Sequence, residues 1–290
     1  MSPSSPPLAL SLGRPSPWPA VTAFVAAFFL ALGSSVLIVF VVAWVRVSGH
    51  RPLLLAEANA FALSPAGLMV GALGNAAVLA AVAFVAARLQ GRGVSARLRL
   101  GPTGASPLGA LAATAGMVGL SVACGAATEL AGVRGSGVMD TMSQALRGPS
   151  AGRFVAAVLT IGVAPGFAEE IFFRGNMQTR LVASWGRWPG IGATAGAFGL
   201  IHLDLVQGSL AFVAGLYLGW IVERFGGVRP TIAAHVANNT LFVTLAAAGA
   251  GAAGSRVADV AVVAAGGAVW VAAIALLRQR RALAPSVSAR

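Results

Sequence analysis

Long apolar runs recur along the whole chain of 290 residues and are separated by short polar or glycine-rich segments. Several runs reach the roughly 20 residues that a helix needs to cross a bilayer. They lack the period-two alternation of a membrane β-barrel, and backbone groups in lipid must pair within their own element. The pattern predicts an all-α, polytopic membrane bundle of about eight transmembrane helices, near residues 20–45, 66–89, 107–131, 152–173, 188–203, 208–223, 229–248 and 257–277. For the short fifth and sixth runs, a broken, partly re-entrant element is the alternative.

Composition supports the membrane class. Hydrophobic residues make up 57% of the chain and charged residues only 10%, whereas a soluble domain carries about 25% charged residues. The net charge of +12 would also fit nucleic-acid binding, but the basic residues lie between apolar runs and form no patch with interleaved aromatics. We therefore expect the lipid bilayer, and no nucleic acid, as a partner.

Four segments follow from these patterns. The predicted organisation is a proline-rich disordered tail over 1–19, N-terminal membrane helices over 20–150, a core over 151–248 with most of the intramembrane polar residues, and a last helix with a basic tail over 249–290. With eight spans and an internal N-terminus, 14 arginines fall on the inner side and 6 on the outer. The positive-inside rule then predicts a multi-pass protein of the cell membrane with both termini in the cytoplasm.

Ionisable residues inside membrane spans are costly and are therefore candidates for function. The chain has only eight acidic residues and three histidines. Five of these residues cluster in the apolar segments of the second half: Glu169, Glu170, His202, Asp204 and His235. Glu223, next to Arg224 at the end of an apolar run, is predicted to be an interfacial charge instead. The concentration of the five in one half is the main functional signal of the sequence.

The first motif is Glu169-Glu170-x-x-x-Arg174. On a helix Glu170 and Arg174 are i, i+4 neighbours, whereas Glu169 lies about 100° away from Glu170. This spacing predicts that Arg174 neutralises Glu170 and leaves Glu169 as the freer carboxylate, a candidate general base. The alternative is a buried ion-pair cluster that only fixes helix packing.

The second and third motifs are Phe198-x-x-x-His202 and His235-x-x-x-Asn239. In each motif the two residues share a helix face. An imidazole and an amide that project together could donate hydrogen bonds to a developing oxyanion. The alternatives are a structural histidine at a helix end and an interhelical polar clamp.

Helix geometry relates the motifs to one another. If the helix of Glu170 continues to about Ser184 and a turn at 185–189 starts the next helix, Glu170 and His202 both lie roughly 20 Å from that turn. An antiparallel hairpin would place them at matched depth, in a site that opens towards the cytoplasm.

Glycine pairs four residues apart are typical of tightly packed membrane helices. The second half has two such pairs that we single out, Gly192 with Gly196 and Gly215 with Gly219. The spacing alone carries no information about function, because it is common in any apolar, glycine-rich chain.

Taken in order, the three motifs resemble those of the CPBP family, the CAAX-protease and bacteriocin-processing membrane proteases, also called Abi or type II CAAX prenyl endopeptidase-like proteins. The resemblance covers roughly residues 152–245 and includes the Phe-Arg-Gly context at 173–175. Residues 1–150 resemble the family only as generic membrane helices.

The resemblance implies an intramembrane endopeptidase that acts on a peptide or membrane-protein substrate. It implies that Glu169 and His202 activate a water and that His235 and Asn239 stabilise the oxyanion. Glu170 and Arg174 would orient the site and balance its charge. Either glutamate remains a candidate for the base, and a prenylated substrate follows only from the family name.

Two questions stay open at this point. His202, His235 and Glu169 could form a His2Glu zinc set with an open fourth position, although HExxH is absent; a metal-free reaction with glutamate as the base uses the same residues and is favoured. The function could also be that of a non-catalytic immunity or scaffold protein. A transporter with a proton relay is disfavoured, because it should show paired repeats.

Overall fold

The computed structural model describes residues 14–47, 53–91, 93–133, 138–250 and 255–282, and all regular secondary structure in this part of the chain is helical. This confirms the predicted all-α class. The helices in this part of the chain are α1 Trp18–Arg46, α2 Leu54–Ala62, α3 Pro65–Leu89, α4 Val94–Arg97, α5 Pro107–Leu130, α6 Val138–Ala145, α7 Ala151–Trp185, α8 Arg187–Leu200, α9 Leu205–Phe225, α10 Arg229–Ala247 and α11 Arg256–Ala282.

Six of these helices, α1, α3, α5, α7, α9 and α11, are long and apolar enough to cross a membrane. The predicted number of about eight spans is therefore not confirmed. Helix α8 has only 14 residues, which is shorter than a span requires. Helix α10 has 19 residues, but its apolar character is interrupted by a histidine and two asparagines.

The outermost helices bury their small residues and expose their large ones. The buried residues of α1 are all alanines, while Phe29, Leu37 and Val45 are 64%, 63% and 70% exposed. Large exposed apolar side chains over a whole span are stable only where the solvent is lipid. The fold is accordingly that of a multi-pass membrane protein.

Helix α7 is the longest and most irregular helix of the bundle, with π-helical turns at Val158–Val163 and Glu170–Gln178. The first lies just before Pro165, whose ring and missing N–H disturb the normal hydrogen bond to the preceding turn. All nine residues of the second are buried. Such π-helical insertions are frequent at functional sites.

A tight turn joins α7 to α8, as the sequence predicts for residues 185–189. Gly186 has a φ of +95°, a conformation that glycine adopts without steric cost. The helices touch beyond the turn, because a Cβ at Gly190 would lie 2.6 Å from the backbone nitrogen of Val182. The antiparallel hairpin therefore forms where the turn signal indicates.

The start of the chain departs from the predicted disordered tail over 1–19. Residues 1–13 lie outside the described residues, but Ser184 Oγ donates to the carbonyl of Pro15 at 2.6 Å and Arg180 Nε to that of Ser16 at 2.6 Å. Helix α1 then begins at Trp18. Residues 15 and 16 are thus fixed against α7. The predicted basic tail after residue 282 also lies outside the described residues.

The loop after α4 contacts the end of α9 and the residue that precedes α10. Arg99 Nη1 donates to Glu223 Oε1 at 2.6 Å, and the Arg99 carbonyl accepts from Val228 N at 3.1 Å. Gln178 Nε2 donates to the same Glu223 oxygen at 2.9 Å. Glu223, which the sequence presents as an interfacial charge, is an internal ion-pair partner that connects α7 to α9.

Candidate active site

Close contact between α7 and α10 positions the first and third motifs. A Cβ at Gly166 would lie 2.9 Å from the backbone nitrogen of Val236, and a Cβ at Gly162 would lie 2.9 Å from Thr240 Oγ1. The two glutamates of the first motif follow Gly166 by three and four residues, and His235 precedes Val236. The backbones can approach closely enough for the motifs to touch because both glycines lack a side chain.

Glu170 is the most enclosed acid of the site, with no exposed surface. Its Oε1 accepts hydrogen bonds from Arg174 Nη1 at 2.8 Å and from His235 Nδ1 at 2.9 Å. The i, i+4 ion pair that the sequence predicts is therefore present. A buried carboxylate requires such compensation, because desolvation disfavours an unpaired charge strongly.

Phe198 is the ring around which the three motifs pack. The Arg174 guanidinium carbon lies 4.5 Å from its centroid. The rings of Phe173, His202 and His235 meet it edge-on, with centroid distances of 5.1, 5.1 and 5.8 Å. The sequence places Phe198 only on the face of His202. Its contacts to the other two motifs depend on packing between helices, which spacing along one helix does not encode.

Glu169 reaches the same imidazole as Glu170. Its Oε2 lies 3.5 Å from His235 Nε2, so the two carboxylates stand at opposite nitrogens of one ring. The sequence predicts that Glu169 faces away from Glu170, which is only partly correct. Glu169 contacts the same ring, but its side chain keeps 17% of its surface exposed whereas that of Glu170 keeps none.

The hydrogen bonds define which nitrogen of each histidine donates. His202 Nδ1 lies 2.8 Å from the carbonyl of Phe198, and His235 Nδ1 lies 2.9 Å from the Glu170 carboxylate. Carbonyl oxygens and carboxylates accept hydrogen bonds, so Nδ1 is the donor in both rings. In its neutral form each imidazole then carries its lone pair on Nε2.

A cavity of about 1030 Å³ opens in front of these groups. Its lining includes Glu169, His202, His235, Asn238 and Asn239, while Glu170 and Arg174 are not among the lining residues. Asn239 accepts a hydrogen bond from Asn238 Nδ2 at 3.4 Å. The six predicted site residues therefore divide into four on the cavity wall and an ion pair behind it.

Asp204, the remaining member of the polar cluster, has a separate structural task. Its side chain accepts from Gln207 N at 2.8 Å and caps the start of α9, which satisfies an amide group that has no partner within the helix. Asp204 also lines the large cavity.

The zinc set of His202, His235 and Glu169 is not supported by the arrangement. Among the residues that the structure describes, no group of three or more histidine, cysteine, aspartate and glutamate side chains is placed to hold a metal ion. We therefore derive no step through a metal.

Comparisons with known proteins bear on the same part of the chain. The comparison with curated proteins and the comparison with solved structures each found no match. A family model described as type II CAAX prenyl endopeptidase Rce1-like matches residues 151–241. This segment contains all three motifs and every residue of the candidate site. The resemblance drawn from the motifs is confirmed: residues 151–241 are similar to the Rce1-like type II CAAX prenyl endopeptidases.

Proposed function

We propose that the protein is an intramembrane endopeptidase that hydrolyses peptide bonds with a water activated by Glu169 and His202. One observation carries the proposal. Side chains from α7, from the segment after α8 and from α10 line one cavity with hydrogen-bond acceptors. The ion pair of Glu170 and Arg174 lies behind this wall. This is the division between reacting and supporting groups that a hydrolytic site needs.

The reaction follows from the acceptors on the cavity wall. A water between the Glu169 carboxylate and His202 Nε2 gives up a proton to Glu169 and attacks the substrate carbonyl. Glu169 passes this proton to His235 Nε2, which lies 3.5 Å from its Oε2, and the resulting N–H stabilises the tetrahedral oxyanion together with the Asn239 amide N–H. The proton taken from water is returned to the leaving amine. Glu170 holds His235 in orientation through Nδ1.

The cavity fits an apolar peptide segment better than a polar one. Most of its wall is made of apolar residues, and polar side chains are the minority, as in sites that enclose hydrophobic ligands. We propose a peptide or a membrane protein as the substrate, and the family match makes a C-terminally prenylated peptide the first one to test. We also expect both termini to lie in the cytoplasm, where the arginine bias places them.

The test is peptide cleavage by the full-length protein purified in detergent. A fluorogenic prenylated peptide and an unmodified peptide library would be incubated with wild type, Glu169→Gln and His202→Ala. We expect cleavage to fall by about 10²–10⁴-fold in each variant, the usual contribution of a general acid–base group. The matched control is Asp259→Asn, because Asp259 is an acid on the same cavity wall with no side-chain partner in the described part of the chain.

Two outcomes would contradict the proposal. Cleavage by Glu169→Gln at the wild-type rate would exclude Glu169 as the base. A folded wild type that cleaves neither the prenylated peptide nor the library would favour the non-catalytic immunity or scaffold function. A parallel arm with a chelator, followed by added zinc, tests metal dependence directly, and we expect cleavage to be unchanged.

A further inference from the structure

A second cavity, of about 490 Å³, lies apart from the active site at the end of the bundle where α1 begins and α3 ends. It shares no lining residue with the large cavity. Its wall is formed by Pro15, Gln90, Arg97, Asn176, Thr179, Arg180 and Ala183. The proposed peptidase reaction assigns no task to any of these residues.

The charge of this second cavity is positive. Arg97 and Arg180 line it, and no acidic side chain is among its lining residues. Both arginines are half-buried, so their attraction for an anion is screened less than that of arginines on an open surface. The lining therefore favours a ligand that brings a negative charge.

Asn176 supplies a second, independent indication of a ligand. The residue is only 4% exposed, and its Nδ2 has no hydrogen-bond partner among the described residues. Gln90 Oε1, directly after the end of α3, is also buried without a partner among the described residues. Buried polar atoms are normally paired. A ligand with an anionic oxygen for Asn176 and a hydroxyl for Gln90 would satisfy both.

The position of this cavity matches the membrane–water boundary. Trp18, Trp185 and Trp188 lie at this end of the bundle and are 66%, 42% and 65% exposed. Pro15, on the cavity wall, accepts a hydrogen bond from Ser184, which joins the segment before α1 to the end of α7. Exposed tryptophans mark the level of the lipid headgroups, and basic pockets between helices at this level bind anionic headgroups.

We propose that this cavity is a binding site for the phosphate group of an anionic lipid headgroup. Arg97 and Arg180 neutralise the phosphate, Asn176 donates to one of its oxygens, and Gln90 accepts from a headgroup hydroxyl. Free phosphate offers the same anionic oxygens, but it lacks the acyl chains that hold a headgroup at this level. A choline headgroup brings a cation for which the cavity wall has no carboxylate.

The test is direct binding to the full-length protein in a non-ionic detergent, followed by native mass spectrometry. Phosphatidylglycerol, phosphatidylcholine and inorganic phosphate would be titrated separately. We expect phosphatidylglycerol to bind at least about tenfold more tightly than the other two, and Arg180→Gln to weaken it by about tenfold, the effect of losing one charge-assisted hydrogen bond. Arg88→Gln is the matched control, because it removes the same charge from an exposed residue at the end of α3 that does not line the cavity.

Asn176→Ala keeps the proposal testable if Arg180→Gln disturbs the fold, since Arg180 also binds the carbonyl of Ser16. Melting temperatures in detergent identify any such loss, and Asn176→Ala should weaken phosphatidylglycerol binding without changing the net charge. Equal binding of phosphatidylglycerol and phosphatidylcholine, or equal weakening by Arg88→Gln and Arg180→Gln, would overturn the site. Equal affinity for phosphatidylglycerol and inorganic phosphate would overturn the assignment to a lipid.

Discussion

Two ion pairs of this protein have the same geometry in opposite surroundings. Arg174 and Glu170 meet at 2.8 Å in α7 with no side-chain exposure, and Arg46 and Glu57 meet at 2.8 Å between α1 and α2 with 49% and 29% exposure. At equal distance, the inner pair loses the hydration that the outer pair keeps. The comparison distinguishes a central region, where an ion pair is buried in protein, from a peripheral region, where an ion pair is exposed at the end of a helix.

The two regions differ in the same way along their helices. The peripheral helix α1 buries only alanines, so its large side chains face lipid. The π-helical turn Glu170–Gln178 buries all nine of its residues, four of them polar or charged. A helix that is surrounded by protein can carry such charges where they are paired: Glu170 binds Arg174 and His235, and Gln178 binds Glu223.

Glu170→Gln should have the largest effect on stability. It leaves the Arg174 charge buried without its partner, which we expect to cost about 3–5 kcal/mol. Glu57→Gln, the matched change in the outer pair, should cost about 0–1 kcal/mol. Thermal unfolding of both variants in the same detergent measures the difference. Equal losses would mean that the two pairs have similar surroundings in the folded protein.

Gly166→Ala should have an intermediate effect. The new Cβ would lie 2.9 Å from Val236 N, so α7 and α10 must move apart, at a cost of about 1–3 kcal/mol. Peptide cleavage should fall as well, because this contact sets the approach of Glu169 to His235. Gly33→Ala in the peripheral helix α1 is the control, since nothing lies within 4 Å of its Cβ position and it does not line the large cavity; it should leave stability unchanged or raise it slightly. Parallel melting curves and cleavage rates separate the two results.

Tyr217→Phe should have the smallest of these effects. It removes a buried hydrogen bond of 2.9 Å from the Tyr217 hydroxyl to the carbonyl of Ala113, which is worth about 1 kcal/mol. Thr22→Val removes an exposed hydroxyl bond to the carbonyl of Trp18 in α1 and should change the melting temperature less. A larger loss for Thr22→Val would reverse the order that the comparison predicts.

Local spacing was sufficient to predict some features of this site. The Arg174–Glu170 pair and the turn after residue 185 depend on neighbours within a few positions, and both are present. The double contact of His235 with Glu169 and Glu170 is not local, because it depends on how α10 lies against α7. A helix of 100° per residue also does not describe the π-helical turn that begins at Glu170.

Glycine pairs show the same limit. Gly215 and Gly219 contact α8, where Cβ atoms would lie 3.0 Å from Ala195 and 2.9 Å from Ile191, respectively. Gly192 and Gly196, with identical spacing, have nothing within 4 Å. The pattern identifies a face on which backbones can approach, whereas the partner helix is decided by the packing of the whole bundle.

The Nδ1 hydrogen bonds of the two histidines have a consequence for proton stoichiometry. With both rings neutral and Glu169 ionised, the Nε2 atoms of His202 and His235 and the Glu169 carboxylate are three sites that can each take up a proton. A substrate carbonyl that enters in this state meets a hydrogen-bond acceptor, and not a donor, at the Nε2 of either ring. In the proposed reaction, each turnover therefore adds a proton to the wall when water attacks and removes it when the amine leaves. The form that stabilises the intermediate then carries one proton more than the form that receives the substrate.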